Sequence, residues 1–295
     1  AGDFATAASE ARTALETNPN LPKAYLAIAM ASLAAGKVDE ARSAYESARN
    51  VGPRGVSLAA IGLADLAMYQ GRFDEAVPIL EQGLKEDREA KNVAGAAPKP
   101  SALAEGYQVR AVPGAPAAAI QRARELSSDP SVLVPAARLL SASGRTADAD
   151  RIAEQLGSNL APRSRAYARV VKAATLLERD RPLEALDELK EAQRLADLWI
   201  VRYLKGVAYV EARAYAEALT ELELCEKRRG EATAVFLDDI PTYRYLVPLE
   251  YWLGRAHDGM GARDAAGRHL RAYLALRSPA TDPLAKDAAA RVAAK

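Results

Sequence analysis

The sequence predicts an all-α fold, a right-handed superhelical solenoid of about seven to eight helix pairs closed by a C-terminal capping helix. Three observations support this prediction. Alanine is abundant, leucine, glutamate and arginine are common, and only 3 residues are phenylalanine, a composition that favours helices over strands. Small residues recur at intervals of about 34 residues. Glycines stand at a fixed distance before most of these small residues.

The recurring small residue is expected early in the second helix of each pair, where it lets two helix backbones approach closely. Successive markers are 34, 35, 43, 30, 36, 33 and 48 residues apart. The long intervals coincide with turn-rich insertions over residues 91–101 and 231–247, as expected because insertions in repeat arrays map to loops. The eight markers are Ala7, Ala41, Ala76, Ala119, Ala149, Ala185, Ala218 and Ala266.

A turn residue stands five positions before each marker alanine. Most of these residues are glycines, which adopt a left-handed backbone without strain and can therefore end the first helix of a pair. Asp180 and Arg213 take the equivalent places in two pairs. The glycines are Gly2, Gly36, Gly71, Gly114, Gly144 and Gly261.

Residues 22–53 contain the most complete helix pair. We expect Tyr45 to fill the space between neighbouring helices and Pro53 to end the second helix. The landmarks of this pair are Tyr25, Ile28, Ala29, Gly36, Ala41, Tyr45, Ala48 and Pro53. With them the chain resembles the tetratricopeptide repeat (TPR) family over almost its entire length, although no unit has the expected tryptophan at its fourth position. The resemblance implies that first helices line a concave groove and that the groove binds polypeptides.

The repeat pattern divides the chain into four segments. We expect N-terminal TPR units over residues 1–90, divergent TPR-like units over 91–160, C-terminal units over 161–280 and a capping helix over 281–295. The first unit is predicted to be truncated, because Gly2, Asp3 and Phe4 already form an inter-helix turn. We therefore expect this chain to be a fragment of a longer protein. The capping helix is predicted to start at Asp282 and Pro283, a polar cap followed by proline in the first turn.

Composition narrows the classes of partner. The chain has 40 Lys and Arg against 39 Asp and Glu, a net charge of +1, which does not favour nucleic acid. Its single cysteine, Cys225, excludes an internal disulfide and a multi-thiolate zinc site. The most apolar stretch, residues 24–35, is shorter than the ~20 residues that span a membrane. We expect a protein or peptide partner, no membrane insertion, and a cytoplasmic location with the periplasm as the alternative.

No group of residues predicts catalysis, a metal or a cofactor. His257 and His269 are twelve residues apart and lack a companion at metal-ligand spacing. Cys225 stands where the repeat pattern takes a small buried residue. Adjacent acidic pairs point about 100° apart on a helix and cannot flank one bond; these pairs are Asp187 with Glu188 and Asp238 with Asp239. The chain is therefore predicted not to be an enzyme.

The TPR resemblance implies which side chains face the groove. In the C-terminal units these positions include Tyr167, Tyr203, Tyr251 and Arg255, and in the N-terminal units they include Leu26, Met30 and Asp65, beside Lys23, Leu33, Leu58, Ile61 and Met68. Tyrosine and arginine are enriched at binding hot spots. The alternative is that the tyrosines pack between helices. The N-terminal half of the groove is more apolar and is expected to take an amphipathic helix or an upstream segment.

The last unit differs from the others in its aromatic content. Residues 237–245 form an acidic, proline and tyrosine stretch, and residues 251–256 read Tyr-Trp-Leu-Gly-Arg-Ala. Residues 237–293 resemble the closing unit of TPR regions appended to bacterial serine/threonine kinases and related regulators. The resemblance implies the regulatory or binding part of a larger bacterial signalling protein. The alternative is an exported or lipid-anchored scaffold for envelope machinery.

Overall fold

The computed structural model describes residues 3–229 and 240–294, and these residues form helices and no strand. The helices are α1 (Phe4–Thr17), α2 (Pro22–Ala34), α3 (Val38–Ala48), α4 (Gly52–Tyr69), α5 (Phe73–Glu89), α6 (Val93–Ala96), α7 (Lys99–Val109), α8 (Ala115–Leu126), α9 (Pro130–Ala142), α10 (Thr146–Gly157), α11 (Pro162–Glu178), α12 (Pro182–Leu195), α13 (Trp199–Glu211), α14 (Tyr215–Lys227), α15 (Val247–Gly259), α16 (Arg263–Leu274) and α17 (Pro283–Ala293). A 3-10 turn, Tyr243–Leu246, precedes α15.

Within each of the two compact units described below, consecutive helices pack as pairs and neighbouring pairs pack on one another. Helix α2 contacts α3, α4 contacts α5, α11 contacts α12, α13 contacts α14 and α15 contacts α16. The all-α fold of stacked helix pairs is thereby confirmed. A helix is also present where the capping helix was predicted: α17 packs on α16, and Asp282 accepts a hydrogen bond from the Leu284 N–H at its start.

The chain forms two compact units. Unit 1 comprises residues 1–132 together with 229–244, and unit 2 comprises residues 133–228 together with 245–295. The short 229–244 stretch is thus separated in sequence from the rest of unit 1. The four-segment division predicted from the repeat pattern stays a prediction.

Left-handed turns separate the two helices of successive pairs, as predicted. Gly36, with φ of +73°, ends its helix α2 and lets the chain reverse into α3. Asp180 and Arg213 adopt the same conformation, with φ of +56° and +61°, although each carries a side chain. Gly2 lies outside the described residues. The remaining predicted turn residues also have positive φ: Gly71, Gly114, Gly144 and Gly261.

Substituting Gly36 isolates the conformational requirement of these turns. A Cβ atom at this position would meet nothing within 4 Å, so the change to alanine is unfavourable only through its positive φ. We expect Gly36→Ala to lower the free energy of unfolding by about 1 kcal/mol, measured by urea denaturation. Gly157→Ala is the matched control, because Gly157 ends α10 with ordinary contacts and no positive φ, and it should not destabilise. Equal losses for the two variants would contradict this explanation.

The marker alanines are buried in every pair but one. Ala41 has no exposed surface and lies where α3 meets α2. Ala7 was predicted to be such a marker, but it is exposed and Ala8 is buried in its place. Helix α1 packs on α2, and among the described residues no helix precedes α1 to cover the face that carries Ala7. The other buried markers are Ala76, Ala119, Ala149, Ala185, Ala218 and Ala266.

Two local predictions were wrong. Pro53 does not end α3, which stops at Ala48; it lies in the first turn of α4, where its missing N–H is harmless. Residues 91–101 are not simply a turn-rich insertion, because they contain α6 and the start of α7. The first helix of this pair is therefore broken into two pieces.

A buried lysine holds the broken helix in place. Lys99 is fully buried, and its ammonium donates to Ser57 Oγ of α4 at 2.8 Å, to Asp87 Oδ2 of α5 at 2.5 Å and to the Gly95 carbonyl of α6 at 2.8 Å. These three acceptors match the three donors of an ammonium. Asp87, only 2% exposed, also accepts from the Asn92 amide at 2.9 Å. Burial lowers the pKa of Lys99, whereas Asp87 opposes that shift.

Candidate functional site

The candidate site is a groove in unit 1 formed by the first helices of successive pairs, α2, α4 and α7. Helical spacing explains its composition: Leu58, Ile61, Asp65 and Tyr69 of α4 are three or four residues apart and so share one face of the helix. We call this surface the unit 1 groove. Asp65 is the one acidic residue in this otherwise uncharged row of α4.

Residues 240–244 lie in the unit 1 groove, far in sequence from the helices that they contact. Tyr243 makes three contacts with these helices. Its backbone N–H donates to Asp65 Oδ2 at 2.9 Å, and its hydroxyl donates to the Leu33 carbonyl of α2 at 3.0 Å. Its ring meets the Tyr69 ring edge-on with 5.0 Å between centroids. Burial raises the pKa of Tyr243 to about 12, so its hydroxyl remains a donor at neutral pH.

Arg244 places its guanidinium between two carboxylates. Its Nη1 donates to Asp65 Oδ1 at 2.9 Å, and its Nε and Nη2 donate to Glu105 Oε2 and Oε1 at 2.6 and 3.2 Å. The pair with Glu105 is bidentate, the strongest common geometry for arginine and a carboxylate. Arg244 is only 8% exposed, so water screens these interactions weakly. The 240–244 segment therefore connects α4 to α7 through one side chain.

Asp65 is the centre of the arrangement. Its side chain is buried and accepts hydrogen bonds from the Tyr243 N–H, from the Arg244 N–H at 3.3 Å and from the Arg244 guanidinium. Burial raises the pKa of Asp65, and the charge and hydrogen bonds of Arg244 oppose that rise. Because Asp65 binds the amides of two consecutive residues, it fixes the register of the segment. It also pairs with the positive charge of the Arg244 side chain.

Tyr45 and Gly62 lie where α3 packs on α4, close to Asp65. The ring of Tyr45 in α3 is fully buried, and its pKa is raised well above the ordinary value by burial and by the charge of Asp65. The hydroxyl of Tyr45 has no hydrogen-bond partner among the described residues. A Cβ atom at Gly62 would lie 2.3 Å from this ring. Glycine at this position therefore lets α3 and α4 approach closely.

Part of the unit 1 groove is an open cleft of about 920 Å³. Lys23 and Leu26 of α2 and Leu58 and Ile61 of α4 line it, all of them at positions predicted to face a groove. Ile240 and Pro241 form another part of its wall. The cleft is thus continuous with the surface that holds Tyr243 and Arg244.

The predicted N-terminal site residues have different environments. Leu26 lines the open cleft, and Asp65 holds the 240–244 segment. Met30 is buried, at 7% exposure. An upstream segment or an amphipathic helix was expected to cover this half of the groove. In the structure residues 240–244 lie there instead. They are downstream in sequence and are not a regular α-helix.

In unit 2 the predicted groove tyrosines are buried. Tyr167 has no exposed surface, Tyr203 stacks on Trp199 with 5.3 Å between ring centroids, and Tyr251 is 2% exposed. The three rings are therefore packed among the helices of unit 2 and are not exposed in an open channel. A partner that used these rings would first have to displace their neighbours.

Arg255 is the more accessible of the predicted unit 2 residues, and its environment is strongly charged. Its Nη1 donates to the Tyr251 hydroxyl at 2.8 Å, which in turn donates to Asp287 Oδ2 at 2.8 Å. Arg255 also lines a cleft of about 510 Å³ with charged residues of both signs, among them Glu211 and Arg291. Opposite charges already neutralise one another here, so the cleft does not favour a ligand of one sign.

The histidines and the cysteine have packing contacts. His257 and His269 stack with 5.4 Å between ring centroids, and His269 Nδ1 is 2.8 Å from Glu250 Oε2. Cys225 is buried beside Trp199, whose indole N–H donates to the Cys225 carbonyl at 2.9 Å. No group of three potential metal ligands exists within residues 3–229 and 240–294. In the same ranges no helix is both long and apolar enough to cross a membrane.

Sequence reasoning missed Tyr243, Arg244 and Glu105 as members of the site. The aromatic character of residues 237–245 was a usable signal, although Leu237, Asp238 and Asp239 lie outside the described residues. A second signal was Asp65 itself, a lone carboxylate in an apolar helix, which needs a buried cation as its partner. Neither signal states which cation, because the pairing spans 179 residues.

Two comparisons with known proteins found similar proteins. The family model described as tetratricopeptide repeat matches residues 1–59. These residues are tetratricopeptide repeats. The match covers α1 to α3 and the start of α4, and within these residues it confirms the resemblance predicted from the TPR landmarks. A crystal structure of the P58(IPK) TPR domain resembles the chain at 14% identity, covering 99% of this chain and 94% of that one with a TM-score of 0.32. No curated protein matches the chain.

Proposed function

We propose that this TPR chain is a protein-interaction scaffold and that the unit 1 groove binds an extended polypeptide segment. One observation carries the proposal: Asp65 accepts hydrogen bonds from the backbone amides of Tyr243 and Arg244. A groove that pairs with backbone amides recognises polypeptide as such, and adjacent side chains add specificity. The contacts of Asp65 with these two amides therefore support the proposal that the groove binds a polypeptide segment.

The open cleft supplies room for a longer ligand. Its volume of about 920 Å³ is in the range of known ligand sites, and its wall combines apolar side chains with a few polar groups. Leu26, Leu58 and Ile61 offer an apolar surface, and Lys23 and Arg54 offer charge at its edge. This composition suits several side chains of a peptide better than a small polar metabolite.

A proposal on the kind of protein to which this chain belongs rests on residues 237–293, which resemble the closing unit of TPR regions appended to bacterial serine/threonine kinases and related regulators. We propose that the chain is the binding arm of a larger bacterial signalling protein associated with a serine/threonine kinase. An exported or lipid-anchored scaffold for envelope machinery is the alternative. The intact mass and N-terminal sequence of the native protein distinguish the two: a linked effector domain supports the binding arm, and a cleaved export signal supports the scaffold.

A selection experiment tests the binding function. Peptides selected from a displayed random library on the purified chain should bind Leu58→Glu at least about tenfold more weakly, because Leu58 lines the cleft and is half-buried. Leu183→Glu is the control, since Leu183 is an exposed leucine of α12 in unit 2. Circular dichroism checks that both variants fold. Selected peptides that bind the two variants equally would place the binding surface elsewhere.

A further inference from the structure

We infer that Asp65 and Glu105 form a recognition site for an arginine preceded by an aromatic residue, and that Tyr243 and Arg244 occupy it as an internal ligand which a partner segment of the same chemistry displaces. The inference rests on the proposed function of the unit 1 groove and names its ligand.

The site is built on the repeat helices and not on the segment that fills it. Asp65 and Tyr69 belong to α4, Glu105 to α7, and the Leu33 carbonyl to α2. These helices pack through contacts with their sequence neighbours. The segment, in contrast, lies in the longest interval between marker alanines, 48 residues from Ala218 to Ala266. It is an insertion into the repeat pattern, so the helix pairs do not need it to complete their stacking.

Arginine is the side chain that these two carboxylates select. They approach one guanidinium from different helices, and Glu105 engages it with both oxygens. A lysine ammonium is a point charge without this planar fork, and it could not form the bidentate pair while also reaching Asp65. The site therefore discriminates between the two basic residues.

The preceding residue is selected by a separate set of contacts. Since Asp65 binds the amides of both Tyr243 and Arg244, the residue before the arginine must lie against Tyr69. An aromatic ring fits there edge-on, and a phenol hydroxyl reaches the Leu33 carbonyl. Tyrosine followed by arginine satisfies the contacts described above for Tyr243 and Arg244.

Displacement requires that a partner gain contacts which the internal segment lacks. A tethered segment has an effective concentration of the order of millimolar, so an identical free peptide competes poorly. The open cleft next to Ile240 and Pro241 provides further contacts for a longer partner along Leu26 and Leu58. An external segment with tyrosine and arginine, extended into this cleft, can therefore replace the internal one.

A labelled peptide and an emptied groove test the inference. The probe is a capped synthetic peptide with the sequence of residues 240–245, Ile-Pro-Thr-Tyr-Arg-Tyr, and binding is measured by fluorescence anisotropy. The double variant Tyr243→Ala/Arg244→Ala should bind it at least about tenfold more tightly than the native chain does. The same peptide with lysine in place of arginine should bind that variant at least about tenfold more weakly. Adding Asp65→Asn should abolish binding.

A second variant controls for the possibility that the double variant does not fold. Tyr243→Ala alone keeps the pair between Arg244 and Asp65, so it should fold and bind the probe with an affinity between those of the native chain and the double variant. Equal binding by the native chain and both variants, or no binding by any folded variant, would overturn the inference. If the probe fails while library-selected peptides still depend on Leu58, the proposed function stands and only the ligand assignment falls.

Discussion

Replacing Arg244 with alanine is expected to lower the free energy of unfolding by about 3–5 kcal/mol. The variant leaves Asp65 in a buried position with its charge uncompensated and removes both hydrogen bonds to Glu105. An exposed pair would not behave in this way, because water screens its charges. Equilibrium urea unfolding followed by circular dichroism measures the difference.

Arg181→Ala is the matched control for this prediction. Arg181 also pairs with a carboxylate, Glu184, but both side chains are about half exposed. Exposed pairs of this kind contribute about 0–1 kcal/mol, so the control should unfold near the native midpoint. A loss of less than about 1 kcal/mol for Arg244→Ala would show that the segment does not neutralise Asp65.

Replacing Lys99 with methionine is expected to destabilise unit 1 by a similar amount, about 3–5 kcal/mol. The methionine fills a comparable volume but leaves Asp87 buried without its cation. The hydrogen bonds to Ser57 and Gly95 are lost at the same time. Equilibrium urea unfolding again measures the difference, from the midpoint and the slope of the unfolding transition.

A double-mutant cycle separates charge from packing at this pair. In Lys99→Met/Asp87→Leu both charges are gone, and apolar replacement of a buried ion pair is often close to neutral. The double variant should therefore recover most of the stability that Lys99→Met loses. Additive losses from the two single changes would mean that packing, and not the buried charge, dominates at Lys99.

Local features of the fold followed well from the sequence. The turn residues were predicted because a left-handed residue and a small neighbour are requirements of a single helix pair, and even Asp180 and Arg213 adopt positive φ. Cys225 was predicted to be a small buried residue for the same reason. These properties depend on residues close in sequence, which a repeat pattern records.

Features that depend on contacts between residues distant in sequence were poorly predicted from the sequence. Ala7 obeys the pattern but is exposed, because burial requires a second helix against the same face. Tyr167 and Tyr251 occupy groove positions in the pattern but pack inside unit 2. The pairing of Arg244 with Asp65 joins an insertion to a helix 179 residues away. No periodicity encodes such a contact, although the unusual carboxylate in α4 indicated that a buried partner was needed.

Hydrogen exchange of the chain, with and without a saturating library-selected peptide, tests whether the unit 1 groove binds polypeptide. In the free chain the Tyr243 and Arg244 amides should exchange slowly, because both donate to the buried Asp65 carboxylate. Added peptide should increase protection in α2 and α4. Protection that appears only in unit 2 would show that the unit 1 groove does not bind the peptide, and Tyr243 and Arg244 amides that exchange as fast as those of an unstructured peptide would show that Asp65 does not hold this segment.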